Sequence, residues 1–151
     1  MHIRLYSPAD WQRLCEIHDA ARMQELQASG LMEAFLSLEQ AAEGEGLFEA
    51  QILVADENDQ VLGFAAYTEE ELTWLYVDPR CHRQGIGRRL VRAVVKASPT
   101  PLSLDVLVGN EAALSLYLSE GFRVIKQVSG KLAGNESFPA TANVLSYNGA
   151  P

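Results

Sequence analysis

The segment WLYVDPRCHRQGIGRRL, Trp74–Leu90, decides the fold of this 151-residue chain. Its apolar start predicts a strand that stops at Asp78, and its last residues begin a predicted amphipathic helix. A basic loop and the turn Gly85-Ile86-Gly87 lie between them. A strand, a tight glycine turn and a helix leave several backbone N–H groups unpaired at the positive end of the helix dipole. This order of elements predicts a site for a phosphate-bearing ligand.

Charge is unevenly distributed along the chain. The net charge of −8 argues against a general nucleic-acid binder. Residues 1–78 hold 16 Asp and Glu against 3 Lys and Arg, whereas residues 79–151 hold 4 against 9. Six of the basic residues fall between Arg80 and Lys96. The first part would attract a cation and the second an anion, although many of the acidic residues could simply solvate surface helices.

The composition indicates one globular domain over residues 1–151, with 48% hydrophobic and 21% charged residues. The N-terminus turns polar at Ser7, and no apolar run approaches the ~20 residues of a membrane helix. Cys15 and Cys81 match no metal or redox spacing. We therefore expect a reduced, cytoplasmic protein that binds no metal, membrane or nucleic acid.

Hydrophobic periodicity and turn residues predict the other elements. The predicted strands are His2–Tyr6, Gln51–Ala55, Val61–Tyr67, Leu72–Val77, Leu102–Val108, Phe122–Val128 and Asn143–Tyr147. The predicted helices are Pro8 to about Gln27, Leu31–Ala42, Gly85–Ala97 and Glu111–Glu120. The polar segment Ser129–Ala142, which contains Gly and Pro, is predicted to be a loop.

Three of these predictions bear on tertiary structure. Gly63 inside a strand suggests a bulge or a close approach of two backbones. Leu102–Val108 is expected to run parallel to Leu72–Val77, because a helical crossover joins them. Asn143–Tyr147 is expected to be an edge strand, which would allow a homodimer to form by strand pairing.

The glycine turn matches neither of two common phosphate-binding motifs. No Gly-Lys-Ser or Gly-Lys-Thr follows it, as a Walker loop requires. Leu90 occupies the place of the third small residue of a dinucleotide fingerprint. From the spacing alone, the glycines could also serve only the geometry of the turn.

Leu75-x-Val77-x-Pro79, followed by RQGIGRRL at residues 83–90, closely resembles the signature of the GCN5-related N-acetyltransferases (GNAT). The resemblance implies an α/β fold with a mixed, mostly antiparallel sheet, helices on both faces and two splayed parallel central strands. It also implies that loop backbone N–H groups bind the pyrophosphate of acetyl-CoA, and that an N–H around Leu75–Val77 polarises the thioester carbonyl. His82 departs from the family pattern, which has Arg or Gln there, at a contact made largely through the main chain. The residues assigned to the cofactor on this first motif are Leu75, Tyr76, Val77, His82, Arg83, Gln84, Gly85, Ile86, Gly87 and Arg88.

A second family motif follows at full spacing, as Asn110-x-x-Ala113-x-x-x-Tyr117 and then Gly-Phe at residues 121–122. The resemblance implies that Asn110 and Ala113 lie along the cofactor. It also implies that Tyr117 lies by the cofactor sulfur and protonates the departing thiolate. A helical spacing of about two turns separates Asn110 from Tyr117, so a phenol there could face the cleft. For Tyr117 taken alone, packing in the core is the alternative.

Transfer to an amine needs a group that removes a proton. Glu69, Glu70 and Glu71 precede the strand at Leu72, and Glu71 is our candidate base. Strand alternation places Glu71 on the face of Leu75 and Val77, unless a bulge of the kind common in this family strand swaps the faces. A solvated turn is the alternative for these carboxylates.

The acceptor pocket is expected to involve the first helix. His18, Arg22 and Glu25 share one helical face and could line it, or they could form an exposed salt-bridged stripe. Trp74 and Tyr76 could form a wall of the acceptor pocket, or they could simply pack against a neighbouring face of the sheet.

The sequence therefore predicts direct acetyl transfer from acetyl-CoA to a primary amine of a small molecule or peptide. Two alternatives remain open. A non-catalytic acyl-CoA-binding or sensing module would not need Tyr117 or a base. A nucleotide-binding regulatory domain would need an element that reads the base or ribose, which we do not find.

Overall fold

The computed structural model describes residues 1–98, 101–132 and 135–147. Its strands are β1 (His2–Leu5), β2 (Gln51–Glu57), β3 (Gln60–Tyr67), β4 (Leu72–Val77), β5 (Leu102–Leu107), β6 (Phe122–Leu132) and β7 (Asn135–Tyr147). Its α-helices are α1 (Trp11–Ala28), α2 (Leu38–Ala41), α3 (Ile86–Ala97) and α4 (Glu111–Ser119). Short 3-10 segments lie at Pro8–Asp10, Met32–Ala34, Leu47–Glu49 and Pro79–Cys81. None of the helices in these ranges has the length and apolar character needed to span a bilayer.

The strands form two sheets that meet at β4 and β5. Antiparallel pairing gives the order β1-β2-β3-β4 in one sheet and β5-β7-β6 in the other. β4 and β5 run parallel and touch at one end, where Glu71 bridges Ser103 and the Ser103 N–H donates to the Glu70 carbonyl at 2.9 Å. Within the described residues they share no further bridge, so the strands diverge and open a cleft. The predicted mixed sheet with two splayed parallel strands is confirmed.

A bulge in β4 decides which side chains face this cleft. Ala66 of β3 pairs with Trp74, but the next residue, Tyr67, pairs with Leu72, so Thr73 is an extra residue in β4. The bulge swaps the faces on its two sides. Glu71 therefore lies on the face of Trp74, rather than on the opposite face that simple alternation gives.

Apolar clusters lie on both faces of the first sheet. On one face, Leu72 packs in a core with α3, which contributes Leu90, Val91 and Val94. On the other face, Trp74 packs with Leu14 and other residues of α1. The prediction of helices on both faces is confirmed.

The prediction of one helix over Leu31–Ala42 is wrong. A 3-10 turn at Met32–Ala34 is followed by extended backbone, and α2 begins only at Leu38. Ser37 starts this short helix with a capping box: its Oγ accepts from the Gln40 N–H at 3.2 Å, and its own N–H donates to Gln40 Oε1 at 2.9 Å. Asp19 of α1 also accepts from the Leu38 N–H at 2.9 Å, so a tertiary contact helps to set the break.

The prediction of a loop over Ser129–Ala142 is also wrong, because β6 and β7 extend into it as a long hairpin. Ser129 pairs with Thr141, and their hydroxyls are 3.0 Å apart. β7 lies between β5 and β6, so Asn143–Tyr147 is not an edge strand as predicted. β5 and β6 are the outer strands of this sheet, so a homodimer cannot form by strand pairing at Asn143–Tyr147.

Candidate active site

A cleft of about 530 Å³ lies where β4 and β5 diverge. Its walls come from α1, from the segment leading into and beyond α2, and from the β6–β7 hairpin. Several residues that the sequence singles out line it together: His18, Arg22, Glu25, Glu71, Trp74, Leu75, Tyr76 and Tyr117. The structure thus brings the predicted acid, the predicted base and the predicted acceptor wall to one place.

Tyr117 enters the cleft from α4. Its side chain is 7% exposed, and its ring meets Phe122 edge-on with centroids 5.6 Å apart. Among the described residues its hydroxyl has no hydrogen-bond partner. Burial, followed by the charge of Glu25, raises the pKa of Tyr117 well above its ordinary value. The phenol is therefore protonated at neutral pH and can donate a proton or hydrogen bond into the cleft.

Glu71 is half-buried in the same cleft. Burial, followed by the charge of Asp105, raises the pKa of its carboxyl group. A carboxylate with a raised pKa is a better proton acceptor than an exposed one. Asp105 was missed by the sequence analysis. Its alternation with the buried Leu104 and Val106, on a strand predicted to be parallel to β4, is the signal that could have placed it there.

The α1 face that carries His18, Arg22 and Glu25 lines the cleft and is not an exposed stripe. His18 is 2% exposed, and its ring packs against those of Trp74 and Tyr76 with centroids 5.7 and 4.8 Å away. Burial lowers the pKa of His18, which favours the neutral ring. Arg22 and Glu25 line the cleft and also form an ion pair with each other.

Trp74 and Tyr76 also serve both roles considered for them. Each lines the cleft and packs in the core under α1. The Tyr76 hydroxyl donates to Glu25 Oε1 at 3.2 Å, which joins β4 to α1 across the cleft wall.

The glycine turn has the geometry of an anion cradle. Asp78 Oδ1 accepts from the Arg80 N–H at 2.9 Å and starts the 3-10 turn after β4. Arg83 and Gly85 then adopt left-handed conformations, with φ of 65° and 78°, and α3 begins at Ile86. A left-handed residue just before a helix turns successive backbone N–H groups toward one point. His82, Arg83, Gln84 and Gly85 are exposed, whereas Ile86 is buried.

The neighbouring cofactor candidates are held by contacts within the protein. Arg88 donates to Ser119 Oγ at 3.0 Å and pairs with Glu120, so its side chain connects α3 to the end of α4. Leu75 and Val77 pack against the α3 core. These contacts leave the backbone of the turn, more than the Arg88 side chain, as the group available to an anion.

Asn110 caps α4, the helix that carries Tyr117. Its Oδ1 accepts from the Ala113 N–H at 3.3 Å, and its Nδ2 donates to Glu25 Oε2 at 3.0 Å. Within the described residues, neither Asn110 nor the 82–88 turn lines the cleft around Tyr117. The predicted cofactor residues are therefore divided: Asn110 and the 82–88 turn lie outside that cleft, whereas Leu75, Tyr76 and Tyr117 line it.

Comparison with known proteins identifies a common family. A family model described as "Acetyltransferase (GNAT) domain" matches residues 48–124. An uncharacterized N-acetyltransferase of Escherichia coli (strain K12), YafP, is 30% identical over 130 residues, which are 84% of this chain and 84% of that protein. The peptidyl-lysine N-acetyltransferase YjaB of the same organism is 35% identical over 96 residues, which are 60% of this chain and 65% of that protein.

Solved structures show the same fold. The apo form of YjaB from Escherichia coli has a TM-score of 0.68 at 28% identity, with 99% of this chain and 98% of that chain covered. A GCN5-related N-acetyltransferase from Rhodopseudomonas palustris has a TM-score of 0.80 at 19% identity, with 97% and 94% covered.

Proposed function

This chain belongs to the GNAT acetyltransferase family and is an acetyl-CoA-dependent acyltransferase, and we propose that it transfers acetyl directly to a primary amine of a small molecule or peptide. One observation carries the proposal. A protonated phenol, Tyr117, and a carboxylate with a raised pKa, Glu71, line the same cleft between the diverging strands.

We assign the cofactor to the 82–88 turn and to the start of α4, the two segments that carry the family motifs. Backbone N–H groups of the turn, helped by the dipole of α3, would hold the pyrophosphate. Asn110 and Ala113, at the start of α4, are the residues of the second family motif that we assign to the cofactor. Bound acetyl-CoA would supply an acetyl thioester as the electrophile, and a backbone N–H near Leu75–Val77 would stabilise negative charge on its carbonyl oxygen.

Glu71 and Tyr117 complete the transfer. Glu71, directly or through a water, accepts the proton that the acceptor amine loses as its nitrogen forms the new bond to the carbonyl carbon. Tyr117 gives its proton to the sulfur as the carbon–sulfur bond breaks. The raised pKa of Glu71 favours proton uptake by its carboxylate, and the raised pKa of Tyr117 keeps its phenol protonated.

The charges of the cleft favour a cationic acceptor. Carboxylates of Glu25, Glu45, Glu71 and Asp105 line it, against the cations Arg22 and Lys131. The relative YjaB is named a peptidyl-lysine N-acetyltransferase, which agrees with an acceptor of this charge. We therefore place lysine side chains of peptides, together with small diamines, first among the acceptors to test.

The test has two stages. Calorimetric titration with acetyl-CoA measures cofactor binding, and detection of the free thiol of CoA then measures transfer to lysine peptides, peptide N-termini and small diamines. We expect binding, and thiol release that Glu71→Gln lowers but the exposed neighbour Glu70→Gln does not. Absence of acetyl-CoA binding would refute the proposal. Binding without thiol release for any amine would instead support an acyl-CoA-binding module.

A further inference from the structure

Glu25 connects the acceptor side of the molecule to the helix that carries Tyr117. Its partly buried carboxylate accepts from the Asn110 amide at 3.0 Å through Oε2 and from the Tyr76 hydroxyl at 3.2 Å through Oε1. It also pairs with Arg22, three residues earlier in α1. One carboxylate thus joins α1, β4 and the N-terminus of α4.

The contact with Glu25 determines how the Asn110 amide is oriented. A carboxylate only accepts hydrogen bonds, so the amide must turn its NH₂ group toward Glu25. Its Oδ1 then faces the Ala113 N–H, which it caps at 3.3 Å. The NH₂ group carries two hydrogens, and Glu25 takes one. The other remains to donate to a ligand that runs along the start of α4.

The backbones around this contact leave little room for movement. Gly109, which precedes Asn110, has φ of 105°. A Cβ on Gly109 would lie 2.8 Å from the Ala28 carbonyl oxygen and 3.1 Å from Ser29 Cα. The end of α1 is therefore packed directly against the turn that starts α4, which holds Glu25 and Asn110 at a fixed separation.

We propose that Glu25 is a positioning residue for acetyl-CoA: it orients Asn110 so that one amide N–H is presented to the cofactor. The inference rests on the proposed function, since it takes Asn110 as part of the cofactor site. Preorganisation of a donor raises affinity because the ligand need not order it. Glu25 therefore contributes to cofactor affinity through Asn110, although its own side chain lines the acceptor cleft.

A double-mutant cycle on acetyl-CoA affinity, measured by calorimetry without any acceptor, tests this. Glu25→Gln removes the charge that orients the amide, and Asn110→Ser removes the amide while keeping a residue that caps helices well. We expect each single variant to weaken acetyl-CoA binding by about tenfold, the effect of one charge-assisted hydrogen bond. The double variant should bind no more weakly than Asn110→Ser alone, because Glu25 acts through Asn110. Glu16→Gln, an exposed carboxylate on the same helix, is the matched control and should change the affinity less than twofold.

The outcomes are distinct. Additive losses in the double variant, or an unchanged affinity for Glu25→Gln, overturn the inference. If Glu25→Gln does not fold by circular dichroism, Glu25→Asp takes its place, since it keeps a charge for Arg22 but shortens the reach to Asn110. Failure of the parent protein to bind acetyl-CoA at all would overturn the proposed function, and this inference with it.

Discussion

Arg13 of α1 pairs with Asp78 at the end of β4, with 2.6 Å between Nη2 and Oδ2. Asp78 is 4% exposed and also accepts from the Arg80 backbone and side chain. This carboxylate therefore holds the exit of β4, the start of the anion-binding turn and the first helix together. Loss of the interactions of Asp78 with Arg13 and Arg80 should therefore destabilise both the turn and the fold.

We predict that Asp78→Asn lowers the free energy of unfolding at pH 7 by about 2–3 kcal/mol, because it leaves the Arg13 guanidinium without a buried anionic partner. Urea denaturation measures this, with the exposed Glu43→Gln as a control that should stay within about 0.5 kcal/mol of the parent. A variant as stable as the parent would show that the pair does not hold the turn.

The stability difference between Asp78→Asn and the parent should also depend on pH. Hydrogen bonds from Arg80, and then from Arg13, hold the pKa of Asp78 below its ordinary value in the folded protein. Because the pKa of Asp78 is lower in the folded than in the unfolded protein, its ionised carboxylate stabilises the fold at pH values above the unfolded pKa of about 3.9. This stabilisation is lost as the pH falls below that value. The two proteins should therefore converge in stability below about pH 4, measured by denaturation at each pH. A constant difference down to pH 2 contradicts this.

The acidic limb of the pH–activity profile should reflect the ionisation of Glu71. As a base, Glu71 works only when ionised, so kcat/KM should rise with pH through its raised pKa. Asp105→Asn removes a nearby negative charge and should move this limb to lower pH, by less than about one unit because burial is the larger cause of the shift. Glu71→Gln should abolish the limb. If the limb survives in Glu71→Gln, another group is the base.

Tyr117→Phe should separate catalysis from binding. It keeps the ring that packs against Phe122 but removes the hydroxyl, so kcat should fall about 100-fold, as for loss of a general acid. The acetyl-CoA dissociation constant should change little. Because burial raises the pKa of Tyr117, the parent should show no loss of activity from this group up to pH 9.5. Tyr6→Phe, outside the cleft, is the control; a Tyr117→Phe enzyme with more than half of the parent kcat would remove the acid role.

Local sequence was sufficient where the structure depends on neighbouring residues. β4, the glycine turn and α3 were predicted to within one residue of their bounds, because strand periodicity, glycine and helix periodicity act over a few positions. The α4 cap at Asn110 was equally local. The hairpin over Ser129–Ala142 was missed because the segment contains polar residues, Gly and Pro, and only the pairing of β6 with β7 reveals it as two strands.

The arrangement of the site depends on contacts that no short segment contains. Glu71 faces the cleft only because Thr73 is a bulge, and a bulge is visible only against the partner strand. Glu25 reaches Asn110, 85 residues later in the chain. The proximity of Asp105 to Glu71 can be predicted only if β4 and β5 are known to touch at the Glu71–Ser103 bridge. The sequence could therefore name most of the candidate groups but not their partners.

The last prediction concerns Gly63, which lies where α3 packs closely against the sheet. As predicted, it lies at a bulge and a close approach: β3 shifts register beside it, and an added Cβ would lie 2.9 Å from the Tyr76 carbonyl oxygen. It would also lie 3.2 Å from Ile86, the first residue of α3. Since this carbonyl is backbone and cannot turn away, Gly63→Ala must shift β4, which leads into the glycine turn, and it also presses on the Ile86 side chain of α3.

We expect Gly63→Ala to lower the free energy of unfolding by about 1–3 kcal/mol and to weaken acetyl-CoA binding, because the displaced N–H groups no longer converge on the pyrophosphate. Thermal unfolding and calorimetry measure the two effects. Gly44→Ala is the matched control, since it lies in an exposed turn with no atom within 4 Å of an added Cβ. Loss of stability with unchanged cofactor affinity would mean that the seating of α3 supports the fold but not the anion cradle.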